Sequence, residues 1–166
     1  MNVRKGSDTA RRRRRIGMSA MRIPKKKPEE IDRSRLMEPV LGESEQSAYR
    51  KGWELFNNRK FWDAHEAWES VWLRVPDESR IFFQGIIQIA AAYHLVLEKK
   101  RYGGALRNFE KAEEKLRLFP PAFLGISVDQ LLDAIGSGKK ELREKGPDGI
   151  ERFDRSFIPT VALDVD

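Results

Sequence analysis

The distribution of apolar and polar residues divides the 166-residue chain into five segments with helical periodicity. Within each segment apolar residues recur three and four positions apart, which places them on one face of an α-helix. Breaks rich in glycine, proline or asparagine separate the segments. This pattern predicts helices over residues 44–57, 61–74, 79–99 and 105–118, and a fifth helix that begins at Ser127.

The third predicted helix is apolar on nearly all sides, which is typical of a buried central helix. Its longest apolar run, over residues 86–97, is interrupted by Gln88 and His94. A membrane span needs about 20 apolar residues, so this run is too short for one. We therefore expect no membrane span and a core built around this helix.

The end of the helical region is set by glycines and by an irregular segment. Gly136 and Gly138 predict that the fifth helix breaks or ends there, with another turn or two over residues 139–145. Strand patterns are absent except for a weak hint at residues 160–165. The expected fold class is all-α, a compact antiparallel bundle of about five helices with a disordered basic N-terminal tail. The predicted organisation is a basic tail and linker over residues 1–43, a helical domain over residues 44–145 and an irregular C-terminal tail over residues 146–166.

The positive charge of the chain is concentrated at one end. Residues 1–28 contain eleven lysines and arginines and one acid, a formal charge of +10, so a chain whose total is +6 carries −4 elsewhere. Three interpretations stay open: a solvated disordered extension, a segment that binds nucleic acid or another acidic partner, and a cleaved organelle-targeting sequence. The expected location is the cytoplasm, or an organelle if the segment is a targeting sequence. The sequence is compatible with translation that begins at Met1, at Met18 or at Met21.

The absence of cysteine and the presence of only two histidines restrict the metal chemistry of the chain. Disulfides and thiolate metal sites are excluded. His65-Glu66 resembles the start of the zinc-protease motif H-E-x-x-H, but Glu69 stands where the second histidine is needed, so the motif fails. A site for a first-row divalent ion made of His65, Glu69 and His94 is the remaining metal hypothesis, and the identity of any cofactor stays open.

A polar pair lies at the edge of the second predicted helix, whose sequence reads FWDAHEAWESVW over residues 61–72. At about 100° per residue, its apolar stripe is centred near Trp68 and Trp72. His65 and Glu69 are one turn apart at the same edge of the stripe and can touch, whereas Glu66 falls on the opposite side. His65 and Glu69 are therefore the candidate functional pair.

Gln84 and Gln88 form a second polar pair, one turn apart in the apolar third helix. Buried side-chain amides need partners, because an unsatisfied polar group costs about 1–3 kcal/mol. His94 lies about 80° to 120° round the same helix. Two interpretations stay open: a polar network that fixes how two helices pair, and a small pocket walled by tryptophans. The candidate residues are His65, Trp68, Glu69, Trp72, Gln84, Gln88 and His94.

An ordered set of motifs resembles the domain of unknown function 309 family over about residues 47–132. The set comprises A-H-E-A-W-E-x-x-W at residues 64–72, F-Q-G-I-I-Q-x-A at residues 83–90, then His94 and a later Gly104-Ala105. The resemblance implies a compact all-helical domain and no assigned reaction. The chain departs from similar chains at residues 99–103, where an asparagine is common, and its basic tail is outside the family pattern. The signature positions that the resemblance implies are His65, Glu66, Trp68, Glu69, Trp72, Gln84, Gly85, Gln88 and His94.

Two functions from different classes are predicted. The first is a helical domain that binds a small ligand or a metal. In the hydrolytic version of this prediction, His65 and Glu69 are an acid–base pair, and Gln84 and Gln88 orient the substrate. The second is a non-catalytic interaction module that docks a partner and binds nucleic acid through residues 1–28. The catalytic residues, the reaction and the oligomeric state stay open.

Overall fold

The structure of the chain is a computed structural model that describes residues 26–75 and 78–164. Five α-helices dominate this part of the chain, and the prediction of an all-α helical bundle is confirmed. Residues 1–25, which hold most of the predicted basic tail, lie outside the described residues. The helices are α1 (Glu43–Asn57), α2 (Phe61–Trp72), α3 (Arg80–Leu97), α4 (Tyr102–Leu116) and α5 (Val128–Lys145).

Helix α3 lies at the centre of the bundle and packs against both α2 and α4. The connections at residues 58–60 and 98–101 are short, so the helices they join run in opposite directions. Side chains of α3 such as Phe82, Ile86 and Ile89 are fully buried. By length and composition α3 could cross a membrane, but most of it is buried by the rest of the fold, as expected of a core helix.

Helices α1 and α2 approach each other closely through Trp68. The Trp68 and Trp53 rings lie 4.5 Å apart between centroids, and Trp68 Nε1 donates a hydrogen bond of 3.2 Å to the carbonyl oxygen of Tyr49. The indole lies directly over Gly52, where an added Cβ would overlap it. Glycine is required at this position because the ring occupies the space of a side chain.

The predicted break in the fifth helix is wrong, because α5 continues through Gly136 and Gly138. Gly138 is buried, and a Cβ there would lie 3.0 Å from the Phe109 ring of α4. This glycine therefore serves close packing between α4 and α5 rather than helix termination. The helix ends at Gly146, whose φ of 68° lies in the left-handed region that favours glycine.

A short hairpin that the sequence pattern did not indicate precedes α5. Its strands are β1 (Ala122–Phe123) and β2 (Ile126–Ser127), which pair antiparallel. Leu124 and Gly125 form the turn with φ values of 46° and 78°. Two-residue strands are too short to show an alternating pattern. The strand hint near the C-terminus is wrong for residues 160–164, which form no strand.

The irregular segment after α5 packs against the bundle. It forms 3-10 turns at Pro147–Arg152 and Arg155–Phe157 and has no further α-helix among its described residues. Its apolar side chains belong to the same hydrophobic core as those of the helices. Burial of apolar surface therefore stabilises the position of residues 147–161. The buried side chains are Ile150, Phe153, Ile158 and Val161.

Two side chains at the end of α1 hold this C-terminal segment. Asn57 Nδ2 donates to the carbonyl oxygen of Val161, and Asn57 Oδ1 accepts from the Val161 amide, both at 2.8 Å. Arg59, whose φ is 63° in the turn before α2, donates to the carbonyl oxygens of Pro159 at 2.7 Å and Ile158 at 3.1 Å. The turn between α1 and α2 is thus joined to the end of the chain.

Candidate functional site

A cavity of about 500 Å³ lies in the groove between α2, α3 and α4, and we call it the polar cavity. Each helix contributes side chains that are three or four residues apart, since such residues share one face. Residues 26–28, at the start of the first described range, also line it. The helical lining consists of His65, Glu69 and Trp72 from α2, Gln84, Ile87 and Gln88 from α3, and Lys111, Glu114 and Lys115 from α4.

Five of the seven candidate residues from the sequence line the polar cavity. They come from two helices, and their common location follows from the pairing of α2 with α3. Trp68 and His94 are not among the lining residues. The five lining residues are His65, Glu69, Trp72, Gln84 and Gln88.

Lys115 forms the most buried charged group of the polar cavity. Its residue is only 9% exposed, and its Nζ donates a hydrogen bond of 2.8 Å to Gln88 Oε1. This bond joins α4 to α3 and orients the Gln88 amide. A hydrogen bond to an ionised donor is stronger than one between neutral groups, so the pair fixes the position of both side chains.

His65 and Glu69 are neighbours in the polar cavity but do not form a hydrogen bond. His65 Nδ1 lies 3.9 Å from Glu69 Oε2, which exceeds hydrogen-bond distance. The nitrogen is buried and has no hydrogen-bond partner among the described residues. A buried polar atom without a partner costs free energy unless water or a ligand satisfies it. Other atoms of the His65 side chain, which is 18% exposed, line the polar cavity.

Trp72 is held in place by Arg80. The guanidinium carbon of Arg80 lies 4.0 Å from the centroid of the Trp72 ring, a cation–π geometry. Arg80 Nε also donates to the Trp72 carbonyl oxygen at 3.1 Å. Burial lowers the pKa of Arg80 from its usual value, yet an arginine stays charged. Trp72 thus presents a positioned aromatic wall to the polar cavity.

Trp68, expected as a second wall of the pocket, is instead a core residue. It is fully buried and packs on Trp53 of α1. The sequence pattern placed both tryptophans near the centre of one stripe, but α1 covers Trp68, whereas Trp72 reaches the groove beside α3 and α4.

His94 belongs to an aromatic stack beside the polar cavity. Trp62 stacks on His65 with ring centroids 4.6 Å apart and planes 10° apart, and its ring lies 5.1 Å from that of His94. Burial, followed by the charge of Lys99, lowers the pKa of His94. His94 is thus favoured in its neutral form. Trp62 was not predicted as a site residue, although its i, i+3 spacing to His65 was a usable signal.

The metal hypothesis finds no geometric support in the described ranges 26–75 and 78–164. No group of three histidine, aspartate or glutamate side chains there is arranged to hold an ion. His65 and Glu69 are close, but His94 contacts Trp62 and does not line the polar cavity. We therefore base no function on a metal.

Three lining residues of α4 were missed by sequence reasoning. A usable signal existed for Lys115, which follows the buried Ala112 by three residues and precedes the buried Leu116. A lysine within an apolar stripe is commonly a side chain whose stem is buried and whose ammonium reaches out. The missed residues are Lys111, Glu114 and Lys115.

The end of the predicted linker also reaches the polar cavity. Lys26 and Lys27 line it together with Pro28. Lys26 Nζ donates to Glu78 Oε1 at 2.6 Å, and this contact lowers the pKa of Glu78. The described start of the chain therefore adds two cations near the groove between the helices.

The comparisons with known proteins agree with the fold. Residues 49–108 match the family model of a domain of unknown function (DUF309). The predicted resemblance to this family is confirmed for the matched residues, which span most of α1 through the first half of α4. No curated protein and no solved structure matches the chain. Lys111, Glu114 and Lys115 lie beyond the matched residues.

Proposed function

We propose that this helical domain binds a small molecule in the polar cavity. The observation that supports the proposal is the convergence of polar side chains from α2, α3 and α4 on one space of about 500 Å³. Ligand pockets are typically about 300–1,000 Å³ and combine an apolar wall with a few convergent polar groups. Trp72 and Ile87 would supply the wall, and His65, Gln84 and Gln88 the polar contacts.

A network that only locks α2 to α3 would be expected to pair its polar groups with one another. His65 Nδ1 instead has no hydrogen-bond partner in the described part of the chain, and Gln88 bonds to Lys115 of α4. His65 and Gln88 both line the polar cavity. If the bound molecule is hydrolysed, His65 would be the group that takes a proton, with Glu69 Oε2 3.9 Å from its Nδ1.

Replacement of His65 with alanine should weaken ligand binding by about tenfold, because one polar contact to the occupant is lost. The free energy of unfolding should change by less than about 1 kcal/mol, since Nδ1 of the imidazole has no hydrogen-bond partner among the described residues and the ring stacks on the exposed Trp62. A library of small polar fragments, screened by NMR with the Gln84 and Gln88 side-chain amides as reporters, measures binding, and urea denaturation measures the free energy of unfolding.

The matched control is Glu66→Ala, one residue further along α2, exposed and outside the polar cavity. It should bind the same fragments with unchanged affinity. Fragments that bind wild type and His65→Ala equally, or a screen in which nothing shifts the cavity resonances, would count against the proposal.

A second function is proposed for the basic segment, namely binding of nucleic acid through residues 1–28. The supporting observation is its eleven lysines and arginines against one acid. Each phosphate contact releases counterions, so affinity falls with salt. This activity is separate from the polar cavity and does not depend on its occupant.

A chain that starts at Met18 lacks Arg4, Lys5 and the five contiguous arginines at residues 11–15. Its affinity for single- or double-stranded DNA should fall by about tenfold or more at about 50 mM salt, with a shallower dependence on salt concentration. Fluorescence anisotropy over a salt series measures both quantities. Equal affinities and equal salt slopes for the two chains would refute this function, and an exchange of the five arginines for glutamines separates charge from length.

A further inference from the structure

We infer that the molecule bound in the polar cavity is a neutral compound with an amide-like edge, in which a carbonyl acceptor beside an N–H donor contacts Gln88 and Gln84. The inference rests on the proposed function and adds the chemical class of the ligand. Its basis is the set of hydrogen-bonding groups that line the polar cavity and are not already engaged within the fold.

Two of the lysines that line the polar cavity are already engaged. Lys26 Nζ donates to Glu78 Oε1 at 2.6 Å, so its charge is paired. Lys115 Nζ donates to Gln88 Oε1 at 2.8 Å and to the Lys111 carbonyl oxygen at 3.5 Å, and Lys115 has a further interaction. An ammonium has only three donors. Neither lysine is therefore counted as a group that contacts the ligand.

The other charged lining residues balance one another. They are Lys27, Lys111, Glu69 and Glu114, two of each sign, and all four are exposed. Exposed charges are screened by water and salt and contribute little to binding. A charged ligand would lose hydration on entering the polar cavity without gaining a matched counter-charge. The lining charges thus favour a neutral ligand.

The side-chain amide of Gln88 has a fixed orientation. The Lys115 ammonium can only donate, so the atom of the amide that faces it must be the oxygen. The other end of the amide, Nε2, makes no hydrogen bond with the described residues. Because an NH2 group only donates, Gln88 favours a ligand that carries an acceptor such as a carbonyl oxygen.

Gln84 supplies the second contact, one helical turn earlier. Its side chain is half-buried, lines the polar cavity and makes no hydrogen bond with the described residues. Since neither end of this amide is fixed, its oxygen can turn toward a donor on the ligand. Residues four apart share one face of a helix with a rise of about 6 Å. A small molecule with adjacent carbonyl and N–H groups can therefore meet Gln84 and Gln88 together.

The remainder of the ligand is expected to be apolar. Ile87 lies between the two glutamines in sequence, and it lines the polar cavity together with Trp72. Apolar surface of the ligand that is buried against these side chains adds affinity. Specificity then comes from the two amides, because a ligand without matching groups would leave them unpaired.

The test uses the full chain and four probes of similar shape: neutral benzamide, neutral acetophenone, anionic benzoate and cationic benzamidine. Acetophenone keeps the carbonyl of benzamide but has a methyl group in place of its NH2, and benzamidine lacks the carbonyl. Titration calorimetry gives the affinities, and the Gln84 and Gln88 side-chain amide signals report the location by NMR. Benzamide should bind about tenfold more tightly than acetophenone or benzoate, and benzamidine most weakly. The affinity of benzamide should change by less than about twofold between about 50 and about 500 mM salt.

Variants assign the preference to the amide of Gln84. Gln84→Leu should weaken benzamide by about tenfold, to the affinity of acetophenone, and leave acetophenone within about twofold. The matched control is Lys111→Met, which removes an exposed charge from the same cavity and should change the affinity for benzamide by less than about twofold. If Gln84→Leu fails to fold, the ranking of the four probes on wild type still decides.

The outcomes separate the inference from the function on which it rests. Benzoate or benzamidine that binds in the polar cavity as tightly as benzamide refutes the inference and leaves the proposed binding function standing. Acetophenone that binds as tightly as benzamide, or benzamide that binds equally to wild type and Gln84→Leu, refutes the role of Gln84. If none of the four probes binds but another fragment of the library shifts the cavity signals, the inference alone is refuted. If no fragment shifts them, the binding function itself is refuted.

Discussion

Replacement of Gly52 with alanine should destabilise the domain by about 3 kcal/mol or more. An added Cβ would overlap the Trp68 indole, and overpacking of a core costs about 1–3 kcal/mol and more when the neighbour cannot move. Trp68 has little freedom to move, because its Nε1 bonds to the Tyr49 carbonyl and its ring packs against Trp53. Thermal denaturation followed by circular dichroism should show a midpoint lower by about 6–12 °C.

The same substitution at Gly136 provides a matched control. Gly136 is an exposed helical glycine with no atom within 4 Å of the position of an added Cβ. Gly136→Ala should therefore stabilise the domain by about 0.5–1 kcal/mol, the usual gain in helix propensity. If Gly52→Ala were as stable as Gly136→Ala, the close contact of α1 with Trp68 would not exist in solution.

Replacement of Gln88 with leucine should destabilise the domain by about 2–3 kcal/mol. The leucine has a similar volume but removes the acceptor at 2.8 Å from the buried Lys115 ammonium, and hydrogen bonds to charged groups contribute about 1.5–3 kcal/mol. Chemical denaturation with urea measures this loss. The size of the effect depends on burial of Lys115, which is 9% exposed.

The double variant Gln88→Leu with Lys115→Met removes both polar groups and should recover part of the lost stability, because apolar replacement of a buried polar pair is often nearly neutral. A stable double variant that no longer binds small polar fragments would show that this pair serves the polar cavity rather than the helix packing. A double variant as unstable as Gln88→Leu alone would instead support a structural lock between α3 and α4.

The helices were predictable because their apolar stripes are long and regular. The predicted starts and ends of α1 and α2 lie within about two residues of those observed. The prediction at Gly138 was wrong because the sequence does not distinguish a glycine that ends a helix from one that makes room for a neighbouring ring. In the structure, the close approach of the Phe109 ring shows that Gly138 has the second role. The burial of the C-terminal segment was not predictable, since 3-10 turns have no apolar period.

The candidate site was partly predictable for the same reason. A helical wheel gives the angle of His65 and Gln88 around each helix, but it does not give the identity of the neighbouring helix. Trp68 and Trp72 were indistinguishable on the wheel, and α1 separates them by covering only Trp68. Lys115 was missed because its partner lies on another helix, 27 residues earlier in the chain.

The paired hydrogen bonds between Asn57 and Val161 also bear on the order in which the domain folds. These residues are 104 positions apart in sequence, so a large loop must close before they meet, and loop closure is slow compared with helix formation. The packing of α1, α2, α3 and α4 involves neighbours in sequence and can form early. The contact that joins the end of the chain to the end of α1 is therefore expected to be among the last to form.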